Sequence, residues 1–102
     1  MDRLKMLSAF VAQNPKDAFA RYGLAMEYAN SGQTETALSE FGKLLEINPD
    51  YTAGYQMAGQ TLLRAGRNDE AREMLKNGVA SAQRTGNRHA QSEMEAMLDE
   101  LA

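Results

Sequence analysis

Cysteine is absent from the 102 residues. That excludes a disulfide framework, a thiolate nucleophile and a thiolate metal site, and it fits a reducing compartment, so the cytoplasm is the expected location. The single histidine, His89, has no second histidine or cysteine to join it in a usual zinc site or a nucleophile–base pair. It reads as a surface residue near a helix start. No apolar run approaches the length of a membrane span, and residues 1–13 carry Asp2, Arg3 and Lys5 beside only a short apolar stretch, so neither a secretory signal nor a membrane partner is expected. Positive charge is also scarce: 11 Lys and Arg stand against 14 Asp and Glu. A duplex-binding surface needs clustered cations to displace counterions, so nucleic acid is not an expected partner. No glycine-rich phosphate loop follows a strand, and no Ser-His-Asp set or paired-carboxylate pocket can be assembled. An enzyme is therefore not expected, and no cofactor is implied.

What is present is regular. Hydrophobic residues make up 43% and charged residues 25%, a globular balance for one domain, and the 7% aromatic share suits helices packed through Ala and Leu. Pro15 and Pro49 lie 34 residues apart, and so do Gly32 and Gly66, and Ala37 and Ala71. That is the period of a helix-turn-helix unit, which cannot bury its apolar face alone and so must stack on a neighbour. Between residues 15–48 and 49–82 the matches are mostly of class. Leu24 meets Ala58, Ala25 meets Gly59, Tyr28 meets Leu62, Phe41 meets Leu75 and Leu45 meets Val79.

Punctuation and 3.6-residue periodicity predict six helices. The first covers residues 2–13, with Leu4, Leu7, Phe10 and Val11 on or beside one stripe, and Asn14-Pro15 stops it. A second starts at Asp17, a good N-cap, and ends at Ser31-Gly32, carrying Phe19, Tyr22, Leu24, Ala25 and Tyr28. The third begins near Thr34, whose hydroxyl is a candidate cap, and closes at Asn48-Pro49. The fourth follows Asp50 and ends at Ala65-Gly66. A fifth runs from about Asn68 to about Gln83, since no proline closes the second unit, and a sixth follows Thr85-Gly86-Asn87 with Ala90, Met94, Met97, Leu98 and Leu101 on one face. Met94 and Met97 are expected to cover the fifth helix as a cap, and Glu93, Glu95, Asp99 and Glu100 to form a solvated face. Gly59 and Gly78, costly inside helices, are expected where backbones approach closely.

On these residues the chain resembles the tetratricopeptide repeat family. The pattern is carried by Leu24-Ala25 and Tyr28, matched by Ala58-Gly59 and Leu62, by the turn glycines Gly32 and Gly66, by Ala37 and Ala71, by Phe41 and Leu75, and by Pro49. One departure is Arg21, where the second unit has Tyr55; Phe19 or Tyr22 is the expected substitute for the missing aromatic. The resemblance implies an all-α fold of antiparallel helix-turn-helix repeats stacked as a short right-handed superhelix. Residues 2–13 would be a lone second-type helix, 17–48 the first repeat, 50–83 the second, and 87–101 a capping helix.

It also implies a function: a protein or peptide segment held in the concave groove lined by the first helix of each pair. Carried onto this chain, the groove residues are Phe19, Tyr22, Met26 and Asn30 from the first repeat, with Gln56, Gln60, Leu63 and Arg64 from the second. Whether Tyr22 and Met26 contact a partner or pack between helices stays open at this stage. The subgroup that clamps the C-terminal carboxylate of heat-shock chaperones uses Lys, Asn and Arg, and Tyr22, Met26 and Met57 stand in the corresponding places, so that ligand is not expected. Two repeats offer little area against the ~800 Å² per partner of a stable interface. The alternative reading is therefore a structural homo-oligomer, such as a homodimer, associating through the groove or a terminal helix.

Overall fold

Local chemistry sets each helix boundary, and the boundaries repeat along the chain. The computed structural model describes residues 2–102, which form six α-helices and no strand: α1 Arg3–Gln13, α2 Ala18–Asn30, α3 Thr34–Ile47, α4 Thr52–Arg64, α5 Asn68–Thr85 and α6 Arg88–Glu100. Asp2, Asp17 and Asn87 cap α1, α2 and α6 by accepting from the amides of Lys5 (2.8 Å), Ala20 (3.0 Å) and Ala90 (3.1 Å). Asn14 and Asn48, each before a proline, leave the helical region at φ −132° and −139° and end α1 and α3.

The turns inside each repeat are built alike. Gly32 and Gly66 adopt φ of 80° and 75°, open to glycine without steric cost. The following amides then reach back across the turn, Gln33 to the Tyr28 carbonyl and Arg67 to the Leu62 carbonyl, both at 2.9 Å. Gln33 and Arg67 are at the same time the N-caps of the next helices, without side-chain cap bonds. This corrects the expectation for Thr34: it is the first residue of α3, because so tight a turn leaves no room for a separate capping residue. Asp50 likewise does not abut α4. Tyr51 is the N-cap of that helix, and Asp50 pairs with Arg84 at 2.8 Å. Helix α5 runs to Thr85, past the expected Gln83. The Thr85 hydroxyl bonds back to the Ser81 carbonyl at 3.0 Å, and only Gly86, at φ 71°, reverses the chain.

α2 packs on α3 and α4 on α5 as two hairpins, α1 precedes them against α2, and α6 follows against α5. The molecule is an elongated slab of 42 × 28 × 18 Å. Its core falls into three clusters. Val11, Ala20 and Leu24 join α1 to α2; Ala25, Ala37, Phe41, Leu44 and Ala58 join α2, α3 and α4; Leu75, Ala82, Ala90 and Met94 join α5 to α6. Burying a side chain the size of Phe41, Leu44, Leu75 or Met94 contributes about 1.5–3 kcal/mol each.

Small residues set the approach distances. A β-carbon on Gly59 would lie 2.6 Å from Leu75 Cδ2, and one on Gly78 would lie 2.8 Å from Tyr55 Cβ and nearer still to Met94 Sδ. Ala37 and Ala71 have no exposed surface. Two residues read as stripe members in the sequence lie outside the core. Phe10 and Phe19 are 49% and 76% exposed.

The place of the missing aromatic is filled by Arg21 itself, not by Phe19 or Tyr22. Its guanidinium is buried, donates to Glu40 of α3 at 2.7 Å and reaches the Pro15 carbonyl at 3.1 Å. Thirty-four residues on, the Tyr55 hydroxyl donates to the Pro49 carbonyl at 2.7 Å.

Candidate functional site

Spacings of three, four and four residues place Phe19, Tyr22, Met26 and Asn30 on one face of α2, and α1 leaves that face partly open. The four line an open hollow of about 420 Å³ whose opposite wall is Arg3, Leu7 and Phe10 of α1. Its floor is apolar, with Gly23 where a larger residue would narrow it. The rim is polar: Arg3 Nε pairs with Glu27 at 2.6 Å, joining the two helices above the floor, and Asn30 is exposed at the far end.

Tyr22 and Met26 do two things at once. Both are half-buried and pack on the central cluster, while their remaining surface lines the hollow. The Tyr22 ring sits 5.3 Å from that of Tyr51 at an interplanar angle of 39°, a tilted aromatic pair that ties the α2 face to the start of α4. Burial raises the pKa of Tyr22. Tyr51 is raised by burial first, then by Tyr22 and by the charge of Asp17. Both hydroxyls are therefore neutral near pH 7, polar but uncharged groups beside an apolar surface.

The four residues from the second repeat are not brought to this hollow. Gln56 donates to Glu93 of α6 at 3.3 Å, Gln60 is half-buried, and Leu63 packs against the α5–α6 cluster. Arg64 borders a separate, smaller hollow of about 210 Å³ with Ala29, Thr34 and Thr61. The reason lies in the neighbours. α6 lies against α4 as well as α5, whereas no helix among the described residues precedes α1 to do the same for α2.

Sequence reasoning missed Arg3, Leu7 and Phe10 as the second wall. A signal was available: moved forward by 34 residues they fall on Ala37, Phe41 and Leu44, all fully buried.

A family model described as tetratricopeptide repeat matches residues 28–92. A TPR repeat-containing protein of Pseudomonas aeruginosa is 30% identical over 95 residues, which are 93% of this chain and 90% of that one. Among solved structures, a Bordetella parapertussis protein superposes with a TM-score of 0.85 at 28% identity, covering 99% of this chain and 88% of the other. YrrB, described as a TPR protein with an unusual peptide-binding site, superposes at 0.75 with 31% identity over 76% of this chain and 40% of its own. No helix of the described residues is long and apolar enough to cross a membrane. With the repeat, its turns and its stacking all in place, the chain belongs to the tetratricopeptide repeat family.

Proposed function

We propose that this protein is a non-catalytic interaction module that holds a segment of another protein in the hollow between α1 and α2. The observation that carries the reading is the grouping of Phe19, Tyr22, Met26 and Asn30 around one open apolar floor, with Phe19 76% exposed. An exposed aromatic beside half-buried Tyr and Met is the composition of an interface centre, and the ion-paired rim suits its edge. The peptide-binding site named for YrrB supports the same kind of use.

Phe19 has little packing to lose, so it is the place to test. A photo-crosslinking amino acid at Phe19 should capture a partner segment, and one at exposed Lys76 on α5 should not. Phe19→Glu should abolish capture while leaving the far-ultraviolet circular dichroism unchanged. Capture that survives Phe19→Glu, or equal crosslinking from both positions, places the partner on another surface.

The second reading, self-association, is favoured by Met6 and Phe10, 58% and 49% exposed on the neighbouring face of α1. Sedimentation velocity separates the two: a chain that stays monomeric at high micromolar concentration is not a homo-oligomeric scaffold.

A further inference from the structure

Helix α6 is charged against its own dipole at both ends. Arg88 is its first residue and Asp99 and Glu100 stand in its last turn, where the partial charges of a helix favour the opposite order. α5, on which α6 packs, is arranged the favourable way, with Asp69 and Glu70 in its first turn and Arg84 in its last. Glu95 and Asp99, both exposed, add a like-charge pair at a spacing of four. α6 is therefore held by its packing rather than by its own sequence.

The holds are separable. Gly86, at φ 71°, and Asn87 are the whole connection from α5. In the middle of the helix Met94, fully buried, lies over Gly78 and in one cluster with Leu75 and Ala82 of α5. An unbranched methionine makes adaptable rather than interlocking contact. At the far end Arg72 of α5 donates to the Leu101 carbonyl at 3.1 Å, while its other terminal nitrogen pairs with Asp69 at 2.8 Å. That guanidinium supplies the positive charge that the last turn of α6 lacks. Along the edge, Gln56 of α4 donates to Glu93 at 3.3 Å, and Leu63 of α4 packs against the α5–α6 cluster.

We propose that α6 is a lid hinged at Gly86 and clasped by Arg72, which opens as a unit while α2 to α5 stay folded. Opening bares Leu63, Leu75 and Ala82 as an apolar face across α4 and α5 and frees Gln56 from Glu93. The closed form withholds these second-repeat residues from any partner, and the open form presents them. This device lies at the other end of the stack from the α1–α2 hollow and does not depend on the use proposed for that hollow.

The test is thiol labelling of the full chain, which has no cysteine of its own. Ala82→Cys sets a thiol beneath α6 and Ala37→Cys sets one in the central cluster; neither alanine has any exposed surface. The thiol at position 82 should react at least about tenfold faster than that at position 37, because it needs only the lid to open. Arg88→Glu combined with Asp99→Lys reverses the unfavourable charges and should slow labelling at position 82 by about tenfold, leaving position 37 unchanged. Arg72→Gln should speed labelling at position 82 alone. Equal rates at the two positions, or a charge variant that slows both alike or neither, would mean that α6 opens only with the whole molecule and would overturn the proposal. Amide exchange on the chain without added cysteine guards against a packing effect of the new thiols: α6 should exchange faster than α3, and the charge variant should slow α6 alone. Equal protection of α6 and α3 overturns the lid.

Discussion

Arg21 and Tyr55 occupy matching places and perform the same task, donating to the carbonyls of Pro15 and Pro49. The arginine brings a charge that the tyrosine does not, and α3 answers it with Glu40 where α5 has Met74. Both partners are almost fully buried, and Arg21 Nε has no hydrogen-bond acceptor. Removing one member of such a pair leaves an uncompensated buried charge, whereas replacing both by apolar groups is often neutral or stabilising. Glu40→Met alone should therefore cost about 3–5 kcal/mol in chemical denaturation. The double variant Arg21→Tyr with Glu40→Met, which copies the second repeat, should recover most or all of that. A double variant no more stable than the single one would mean that the pair is not the reason for the loss. The aromatic sought near residue 21 was not legible from the family pattern. The linked difference Arg21 and Glu40 against Tyr55 and Met74 was legible, once the two repeats are compared as pairs rather than as single positions.

At the scale of the element, glycine has opposite meanings in two neighbouring helices. Gly59 sits where α4 meets Leu75, and Gly42 on α3 faces open space with no atom within 4 Å of a built β-carbon. Alanine is favoured over glycine inside a helix by about 1 kcal/mol. Gly42→Ala should therefore raise the melting temperature by roughly 4–8 °C per kcal/mol gained. Gly59→Ala meets the Leu75 side chain first, and overpacking of about 1–3 kcal/mol outweighs the helical gain, so its melting temperature should fall. Differential scanning calorimetry on both variants checks the signs, and a rise at Gly59→Ala would mean that Leu75 moves aside freely. The helices themselves were readable because Asp17, Asn14-Pro15, Asn48-Pro49 and the turn glycines act locally. α3 begins at Thr34 as expected, and what was misread, the capping role of Thr34, the step from Asp50 to α4 and the end near Gln83, lies where a turn or an ion pair with a distant segment takes over a residue's role.

Across the whole molecule, stability is a sum of near-neighbour contacts, because each helix touches only helices one or two places away along the chain. α3 lies in the middle with Phe41 and Leu44 fully buried, whereas α1 holds to α2 through Val11 with Leu4 and Leu7 beside it. Native-state hydrogen exchange should show the amides of α1 opening at lower free energy than those of α3 and α4, by several-fold to orders of magnitude in rate. Uniform protection along the chain would contradict this graded picture. The two ends also differ in chemistry. α6 turns Glu93, Glu95, Asp99 and Glu100 to solvent, while α1 and α2 leave Met6, Phe10 and Phe19 uncovered. Solvated carboxylates close one end of the stack, and apolar side chains stay uncovered at the other.

The sequence alone was enough for the period, the helix count, the turn glycines and the stacking, because proline, glycine and capping side chains act within a few residues of themselves. Which side chains share one hollow was decided only in three dimensions. Phe19 and Phe10 both sit on helices whose apolar stripes promised burial, and whether either is covered depends on which helix lies against that face. The same dependence drew Leu63 and Gln56 toward α6 and left Tyr22 and Met26 beside α1. A helical period states which residues face the same way, and only packed neighbours settle what they face.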